Sequence, residues 1–151
     1  MSNFVNNSDH SKINISRINI PRIVIAGTHS GVGKTSIVAG LLASYSAMGI
    51  RVAAFKCGPD YLDPTYHRRA LQDSKLQDSN LQDSKKRWMG CNLDSCLTSD
   101  QVLRESFVSE CLAVDAELAI IEGVMGLFDG KSTDSDLGST ASIAKLLSAP
   151  V

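Results

Sequence analysis

The sequence predicts an α/β fold in which a parallel β-sheet is flanked by helices. The first observation is an apolar run, 23–26, that leads into the glycine-rich stretch Gly27–Thr35 and then into a helical pattern, 36–43. The second observation is a pair of further apolar runs, 51–55 and 117–121, each preceded by a helical pattern. Strands that alternate with helices are expected to pair in parallel through right-handed crossovers.

The stretch Gly27–Thr35 has the features of a phosphate-binding loop. Its glycines allow backbone N–H groups to turn towards an anion, and the following helix start adds further donors. Lys34 is expected to reach the β- and γ-phosphates of ATP, and the Thr35 hydroxyl to bind Mg²⁺. The loop is one residue longer than the strict G-x-x-x-x-G-K-[ST] pattern, because position 28 is threonine. The flanking strand and helix favour a P-loop NTPase-like fold over a glycine-rich turn with an incidental lysine.

The remaining elements follow from apolar spacing and from capping residues. Helices are expected over residues 34 to about 48, over about 98 to 114, and from 138 onwards. Gly49 is typical of a helix C-terminal cap, and Thr98 or Ser99 of an N-terminal cap. The end of the chain, 149–151, has the pattern of a strand that is beginning. The chain is therefore interpreted as the truncated N-terminal portion of a larger domain.

Two regions are expected to lie outside the domain core. Residues 1–21 are rich in Asn and Ser and are interpreted as a flexible tail rather than an edge strand. Residues 71–85 repeat the pattern LQDS with one leucine per unit, which is too polar to bury a core. They are interpreted as a surface insertion within a partial P-loop ATP-binding domain, 22–151.

Composition argues against several classes of partner. The net charge of −1 gives no basic footprint for nucleic acid or for an anionic membrane. No apolar run approaches the length that spans a bilayer, and the N-terminus lacks the layout of a secretory signal. The four cysteines form no CxxC pair, so reduced thiols in a cytoplasmic protein are expected rather than a zinc site.

Chemistry-bearing residues are expected at the carboxyl ends of two later strands. The stretch Lys56–Arg69 combines a lysine, two carboxylates, two tyrosines and a histidine in a predicted loop after the second strand. The run 117–121 ends in Glu122, which has the shape of a Walker B element that handles Mg²⁺ or its water. Asp129, in the glycine-rich loop that follows, is either a turn residue or a second acid of the site.

Four segments together resemble a known family. FKCGPDYLDPTYHRRA at Phe55–Ala70, IEGVMGLFDG at Ile121–Gly130, GTHSGVGKT at Gly27–Thr35 and GSTASIAKLLSAPV at Gly138–Val151 closely resemble the cobyrinic acid a,c-diamide synthases. The wider group, which includes cobyric acid synthase and dethiobiotin synthetase, shares the longer phosphate loop. The resemblance covers 22–151 and is interrupted only by the LQDS repeats.

The resemblance implies an ATP-dependent amidation in cobalamin biosynthesis. Members of the family amidate the a and c acetate carboxylates of cobyrinic or hydrogenobyrinic acid. Each carboxylate is phosphorylated by Mg-ATP, and ammonia then displaces phosphate from the acyl phosphate. The ammonia comes from glutamine, hydrolysed by a C-terminal glutaminase domain with a nucleophilic cysteine. That domain is expected to be absent from this chain, and none of the four cysteines lies in a matching context.

The resemblance also implies roles for individual residues. The residues implied to bind ATP are Gly31, Val32, Gly33, Lys34, Thr35 and Ser36. The residues implied to bind Mg²⁺, directly or through water, are Thr35, Asp63 and Glu122. The residues implied to contact the corrinoid substrate are Lys56, Asp60, Tyr61 and Leu62. The residues implied to be catalytic are Lys34, Asp60, Glu122 and Asp129.

Other functions compatible with the sequence stay open at this point. The related nickel-tetrapyrrole a,c-diamide synthase shares the same motifs. The chain could instead be a truncated remnant without catalysis, or a nucleotide-binding module. A partition-type ATPase is disfavoured, because such proteins place a lysine early in the loop, where this chain has His29. Enzymes of this group often dimerise, so a homodimer is a further hypothesis.

Overall fold

The computed structural model describes residues 20–73, 91–132 and 135–151, which form four strands and four helices. In chain order these are β1 Arg22–Ile25, α1 Lys34–Ala47, β2 Val52–Cys57, α2 Asp63–Asp73, β3 Cys91–Leu93, α3 Asp100–Ala113, β4 Leu118–Glu122 and α4 Thr140–Leu147. The strands lie in the order β1-β4-β2-β3, and every pair is parallel. The predicted α/β fold with a parallel sheet is confirmed.

Helices cover both faces of the sheet, because alternate residues of the central strands are apolar on each side. Phe55 and Ile121 belong to a core cluster shared with α3 and α4. Ala54 and Ile120, their neighbours in sequence, belong to a second cluster shared with α1. All six residues of β2 are buried, as expected for a central parallel strand.

Most predicted elements are confirmed within a few residues. Gly49 adopts the left-handed conformation (φ 79°) after α1, and the Ser99 side chain accepts a hydrogen bond from the Val102 N–H at the start of α3. The three-residue strand β3 was not predicted, because it is short and carries polar Asn92 at its centre. Beside β1, the Val24 N–H donates to the Pro150 carbonyl at 2.8 Å.

The prediction that residues 56–69 form a loop is wrong in part. Lys56 and Cys57 are the last residues of β2, and helix α2 begins at Asp63. Pro64 was interpreted as a loop residue, but it lies in the first helical turn, where a missing backbone N–H costs nothing. Only residues 58–62 connect the strand to the helix.

Two predicted regions lie largely outside the described residues. The interpretations of residues 1–19 as a tail and of 74–85 as a surface insertion are not tested. The first LQDS unit begins within α2, and its Leu71 packs against the core cluster that α1 shares with the sheet.

The cysteines and the helix lengths relate to the two predictions of reduced thiols and of no membrane-spanning run. All four cysteines are free, and burial raises the pKa of the Cys57 and Cys111 thiols to about 12. Cys96 is exposed. Over the described ranges, the helices are too short or too polar to traverse a lipid bilayer.

The ring of Phe107 is expected to contribute strongly to stability. It is fully buried, lies 4.8 Å (centroid to centroid) from the Phe55 ring, and has the Arg22 guanidinium 5.4 Å from its centroid. Phe107→Ala should lower the free energy of unfolding in urea by about 3–5 kcal/mol, because it leaves a cavity. Leu112→Ala, in the same helix but 65% exposed, is the control. Equal unfolding midpoints for the two variants would contradict the packing.

Candidate nucleotide-binding site

Two glycines of the phosphate loop border space that no other atom of the described residues fills. Gly31 (φ 79°) and Gly33 (φ 95°) adopt left-handed conformations, and a Cβ added to either would meet no atom within 4 Å. Gly33 precedes α1, whose start carries no side-chain cap. Val32 and Ser36 are exposed on the same segment. The loop therefore leaves unfilled space beside a helix start, where backbone donors favour an anion.

The Lys34 side chain joins the phosphate loop to the loop after β4. It is 8% exposed, and its ammonium donates to the His29 carbonyl at 2.9 Å and the Met125 carbonyl at 2.6 Å. Met125 has a positive φ of 50°, which is uncommon for a side chain with a Cβ. Lys34 therefore lies between two loops at the carboxyl ends of β1 and β4.

Close backbone approach also holds these two loops together. The Leu127 N–H donates to the Gly27 carbonyl at 2.9 Å. A Cβ on Gly126 would lie 2.7 Å from the Thr28 carbonyl oxygen, so only glycine fits there. Nearby, the Asp129 carboxylate accepts a hydrogen bond from the Gly126 N–H at 2.9 Å.

Of the two interpretations of Asp129, the structure confirms that of a turn residue. Its hydrogen bond to Gly126 makes it a turn residue. It also borders a cavity of about 510 Å³ together with Gly27, Thr28 and Phe128, next to the phosphate loop. Its catalytic role stays a prediction.

Glu122 is the centre of a buried polar cluster. One carboxylate oxygen, Oε1, accepts from the Thr35 hydroxyl at 2.5 Å and lies 3.4 Å from the Lys56 ammonium. The other, Oε2, lies 2.6 Å from Nε2 of His67. Burial opposes ionisation, yet the His67 and Thr35 hydrogen bonds and the charge of Lys56 outweigh it. The pKa of Glu122 is therefore held below its ordinary value of 4.5.

Lys56 connects this cluster to the start of α2. Its ammonium donates to the Gly123 carbonyl at 2.7 Å and lies 3.1 Å from Asp63 Oδ2. Burial raises the pKa of Asp63, although Lys56 opposes the rise. Lys56 was expected in a loop, and the contact with substrate that the resemblance implied for it stays a prediction. Lys56 is instead 3% exposed in β2, because two carboxylates and a carbonyl compensate its buried charge.

The other three predicted substrate residues are one side chain that holds a turn and two that are exposed. The Asp60 carboxylate accepts from the N–H groups of Leu62 (2.9 Å) and Asp63 (3.2 Å), which fixes the turn into α2. Burial opposes ionisation of Asp60, but these bonds lower its pKa. Tyr61 and Leu62 are 82% and 71% exposed and are open to a ligand.

Sequence reasoning gave no role to His67 and Asn92. His67 is fully buried against Glu122, and the Asn92 amide donates to the Asp60 carbonyl at 2.8 Å. The signal for His67 was its spacing of one helical turn from Asp63, which carries weight only once Asp63–Asp73 is recognised as a helix. Asn92 carried no signal, since β3 was not predicted.

The residues present fit a nucleotide with Mg²⁺. The open glycine edge offers space for phosphates, and the Thr35 hydroxyl with the Glu122 and Asp63 carboxylates offers the hard oxygen donors that Mg²⁺ prefers. Among the described side chains, no group of three or more His, Cys, Asp and Glu forms a metal site of its own. A Mg²⁺ ion would therefore take its other ligands from phosphates and water, as is usual for it.

Comparison with protein families agrees with this geometry. Residues 23–148 match the CobQ/CobB/MinD/ParA nucleotide binding domain. The chain belongs to this family. The match reaches from β1 to the end of α4, across all eight elements of the described residues, and it supports nucleotide binding by this domain.

Individual relatives confirm the resemblance seen in the sequence. Cobyrinate a,c-diamide synthase of Leptospira interrogans is 50% identical over 134 residues, which are 89% of this chain and 26% of that protein. The enzyme of the same name from Priestia megaterium is 41% identical over 86% of this chain and 25% of its own length. Hydrogenobyrinate a,c-diamide synthase of Streptomyces coelicolor is 41% identical over 87% of this chain and 24% of its own length. The chain spans about a quarter of the length of these curated relatives.

The lowered pKa of Glu122 predicts how acid affects stability. The ionised Glu122 carboxylate contributes fully to the free energy of unfolding above the ordinary pKa of 4.5. This contribution is lost as pH falls through the lower pKa of the folded state. Glu122→Gln should therefore be less stable than wild type at pH 7, with the difference narrowing below about pH 4. Urea unfolding at a series of pH values measures this. Glu117→Gln, an exposed acid, is the control, and a pH-independent difference for Glu122→Gln would contradict the prediction.

Proposed function

We propose that this chain binds Mg-ATP and forms the ATP-binding part of a glutamine-dependent amidotransferase that acts on cobyrinic or hydrogenobyrinic acid. The observation that carries the proposal is the contact of Thr35, in the phosphate loop, with Glu122 at the end of β4. This contact puts a hydroxyl and a carboxylate side by side at the loop, as an ATP–Mg²⁺ site requires. The names of the relatives supply the substrate class.

The chemistry explains why a phosphate site suits this reaction. A carboxylate is a poor acyl donor, because oxide is a poor leaving group, whereas an acyl phosphate has a good one. Two anions must approach each other for the phosphoryl transfer, so positive charge and N–H donors are needed around them. Bound Mg²⁺ would supply part of that charge. Lys34 and the backbone of 31–36 would supply the rest.

Each predicted binding residue keeps a distinct task in this proposal. Thr35, Asp63 and Glu122 would hold Mg²⁺, directly or through water. Lys34 would exchange its two carbonyl partners for phosphate oxygens. Lys56, which lies between two carboxylates, would hold Asp63 and Glu122 at their positions rather than reach the substrate.

The exposed start of α2 is proposed to face the corrinoid. Tyr61 and Leu62 offer apolar and aromatic surface to a large ring, and the Asp60 turn fixes their direction. Asp60 and Asp129 would act at the substrate carboxylate. We place this activity in the cytoplasm, where ATP is available. Ammonia would come from a glutaminase domain of the longer enzyme, and the proposed assembly is a homodimer.

Loss of the Lys34 ammonium should weaken nucleotide binding. Lys34→Ala removes charge-assisted bonds to phosphate and should raise the dissociation constant of Mg-ATP about 10- to 100-fold. Isothermal titration calorimetry of the purified chain measures this. The control is Lys145→Ala, which removes a lysine that is 74% exposed in α4. Equal affinities of Lys34→Ala and wild type would refute the assignment of the loop.

Truncation of Tyr61 should affect corrinoid binding separately. Tyr61→Ala removes an exposed ring and should weaken cobyrinic acid binding about 3- to 10-fold, while Mg-ATP binding stays at the wild-type level. Titration followed by corrinoid absorbance measures this, with Leu97→Ala, another exposed apolar residue, as control. Tighter binding of a nickel tetrapyrrole than of cobyrinic acid would favour the related nickel enzyme instead.

A further inference from the structure

We propose that His67 is a positioning residue that orients the Glu122 carboxylate, and through it the Thr35 hydroxyl, for the cation bound with ATP. The inference rests on the proposed function of this site. It adds a second residue of α2, beside Asp63, to a site made by the phosphate loop, β4 and the start of α2.

The first step is the burial of His67. Its side chain is fully buried on a helix whose neighbouring Tyr66 is 58% exposed. The same helix packs Ala70 and Leu71 against the apolar cluster of α1. An apolar side chain at position 67 would suit such a helix face, and a polar ring there costs free energy unless it is hydrogen-bonded. The compensating partner is Glu122, at 2.6 Å.

The second step is the direction of the hydrogen bond. Glu122 already accepts the Thr35 hydroxyl at Oε1, and the oxygens of a carboxylate are acceptors only. Nε2 of His67 is therefore the donor of the hydrogen bond to Oε2 of Glu122, 2.6 Å away. With Oε2 held by the ring, the plane of the carboxylate is fixed and Oε1 is directed at Thr35.

The third step concerns the threonine hydroxyl. A hydroxyl has one proton to donate and two lone pairs. The Thr35 proton is directed at Oε1 of Glu122, so its lone pairs are available to a cation at the phosphate loop. Ligand orientation by hydrogen-bonded neighbours is a general requirement of metal sites, and its loss costs about 10- to 100-fold in metal affinity.

The fourth step separates His67 from Lys56, the other basic group beside Glu122. Lys56 lies 3.4 Å from Oε1, farther than the 2.6 Å that separates His67 from Oε2, and it also contacts Asp63 and Gly123. Lys56 compensates charge among several partners. His67 contacts Oε2, the oxygen that Thr35 does not contact, and so fixes the orientation of the Glu122 carboxylate.

The test compares two substitutions by their effect on magnesium dependence. His67→Met fills the space without a donor, whereas His67→Gln keeps an N–H close to the position of Nε2. Calorimetric ATP titrations of each chain, with Mg²⁺ and with a chelator, give the factor by which Mg²⁺ tightens binding. We expect this factor to fall about 10- to 100-fold in His67→Met and to be largely retained in His67→Gln. Binding without Mg²⁺ should change little in either variant.

A matched control separates positioning from general destabilisation. Phe107→Leu alters a buried residue on the opposite face of the sheet and should leave the magnesium factor unchanged. An equal loss of ATP affinity with and without Mg²⁺ in His67→Met would make His67 purely structural and overturn the inference. A His67→Gln variant no better than His67→Met would overturn it as well.

A ligand-independent measurement distinguishes failure of the inference from failure of the proposed function. If wild type does not bind Mg-ATP, the proposed function fails, and imidazole ¹⁵N spectra of the free chain then decide the role of His67. Glu122→Gln should shift the Nε2 resonance of His67, and Asp129→Asn should not. An unshifted resonance in Glu122→Gln would overturn the inference.

Discussion

A buried carboxylate governs the arrangement of this domain. Glu122 is 1% exposed at the end of a central strand, and an ionised group there is tolerated only if several donors surround it. Its donors come from three other elements: Thr35 from α1, Lys56 from β2 and His67 from α2. The need to compensate one charge therefore fixes two helices against the sheet. The same contacts place the phosphate loop opposite the start of α2.

The parallel sheet explains why these groups converge. All four strands run in one direction, so the loops after β1, β2 and β4 leave from a single edge. Contacts between the loops are close: Lys34 bonds the Met125 carbonyl, and Leu127 bonds the Gly27 carbonyl. Gly126 lies against Thr28 where no Cβ fits. The polar cluster is thus backed by closely packed loop backbone.

The fold was largely predictable because its signals are local. The apolar runs of β1, β2 and β4 and the caps at Gly49 and Ser99 lie within short windows of sequence. The phosphate loop and Glu122 were predicted for the same reason. His67 and Asn92 were not, since their roles depend on contacts with Glu122 and Asp60 across other elements. Lys56 was assigned to a loop because loop residues follow it directly. Only the tertiary structure shows the Asp63 and Glu122 carboxylates, which compensate the charge of the buried ammonium.

The shared carboxylate has a consequence for how such a site changes over evolutionary time. Thr35, Lys56 and His67 lie on three different elements, yet all three contact the two carboxylate oxygens of Glu122. If one of these residues is replaced, Glu122 loses a hydrogen bond or part of its charge compensation, and a substitution at a neighbouring residue must restore it. Substitutions here are therefore epistatic. Change at this cluster requires coordinated substitutions, whereas the exposed Tyr61 and Leu62 can diverge one at a time without disturbing the fold.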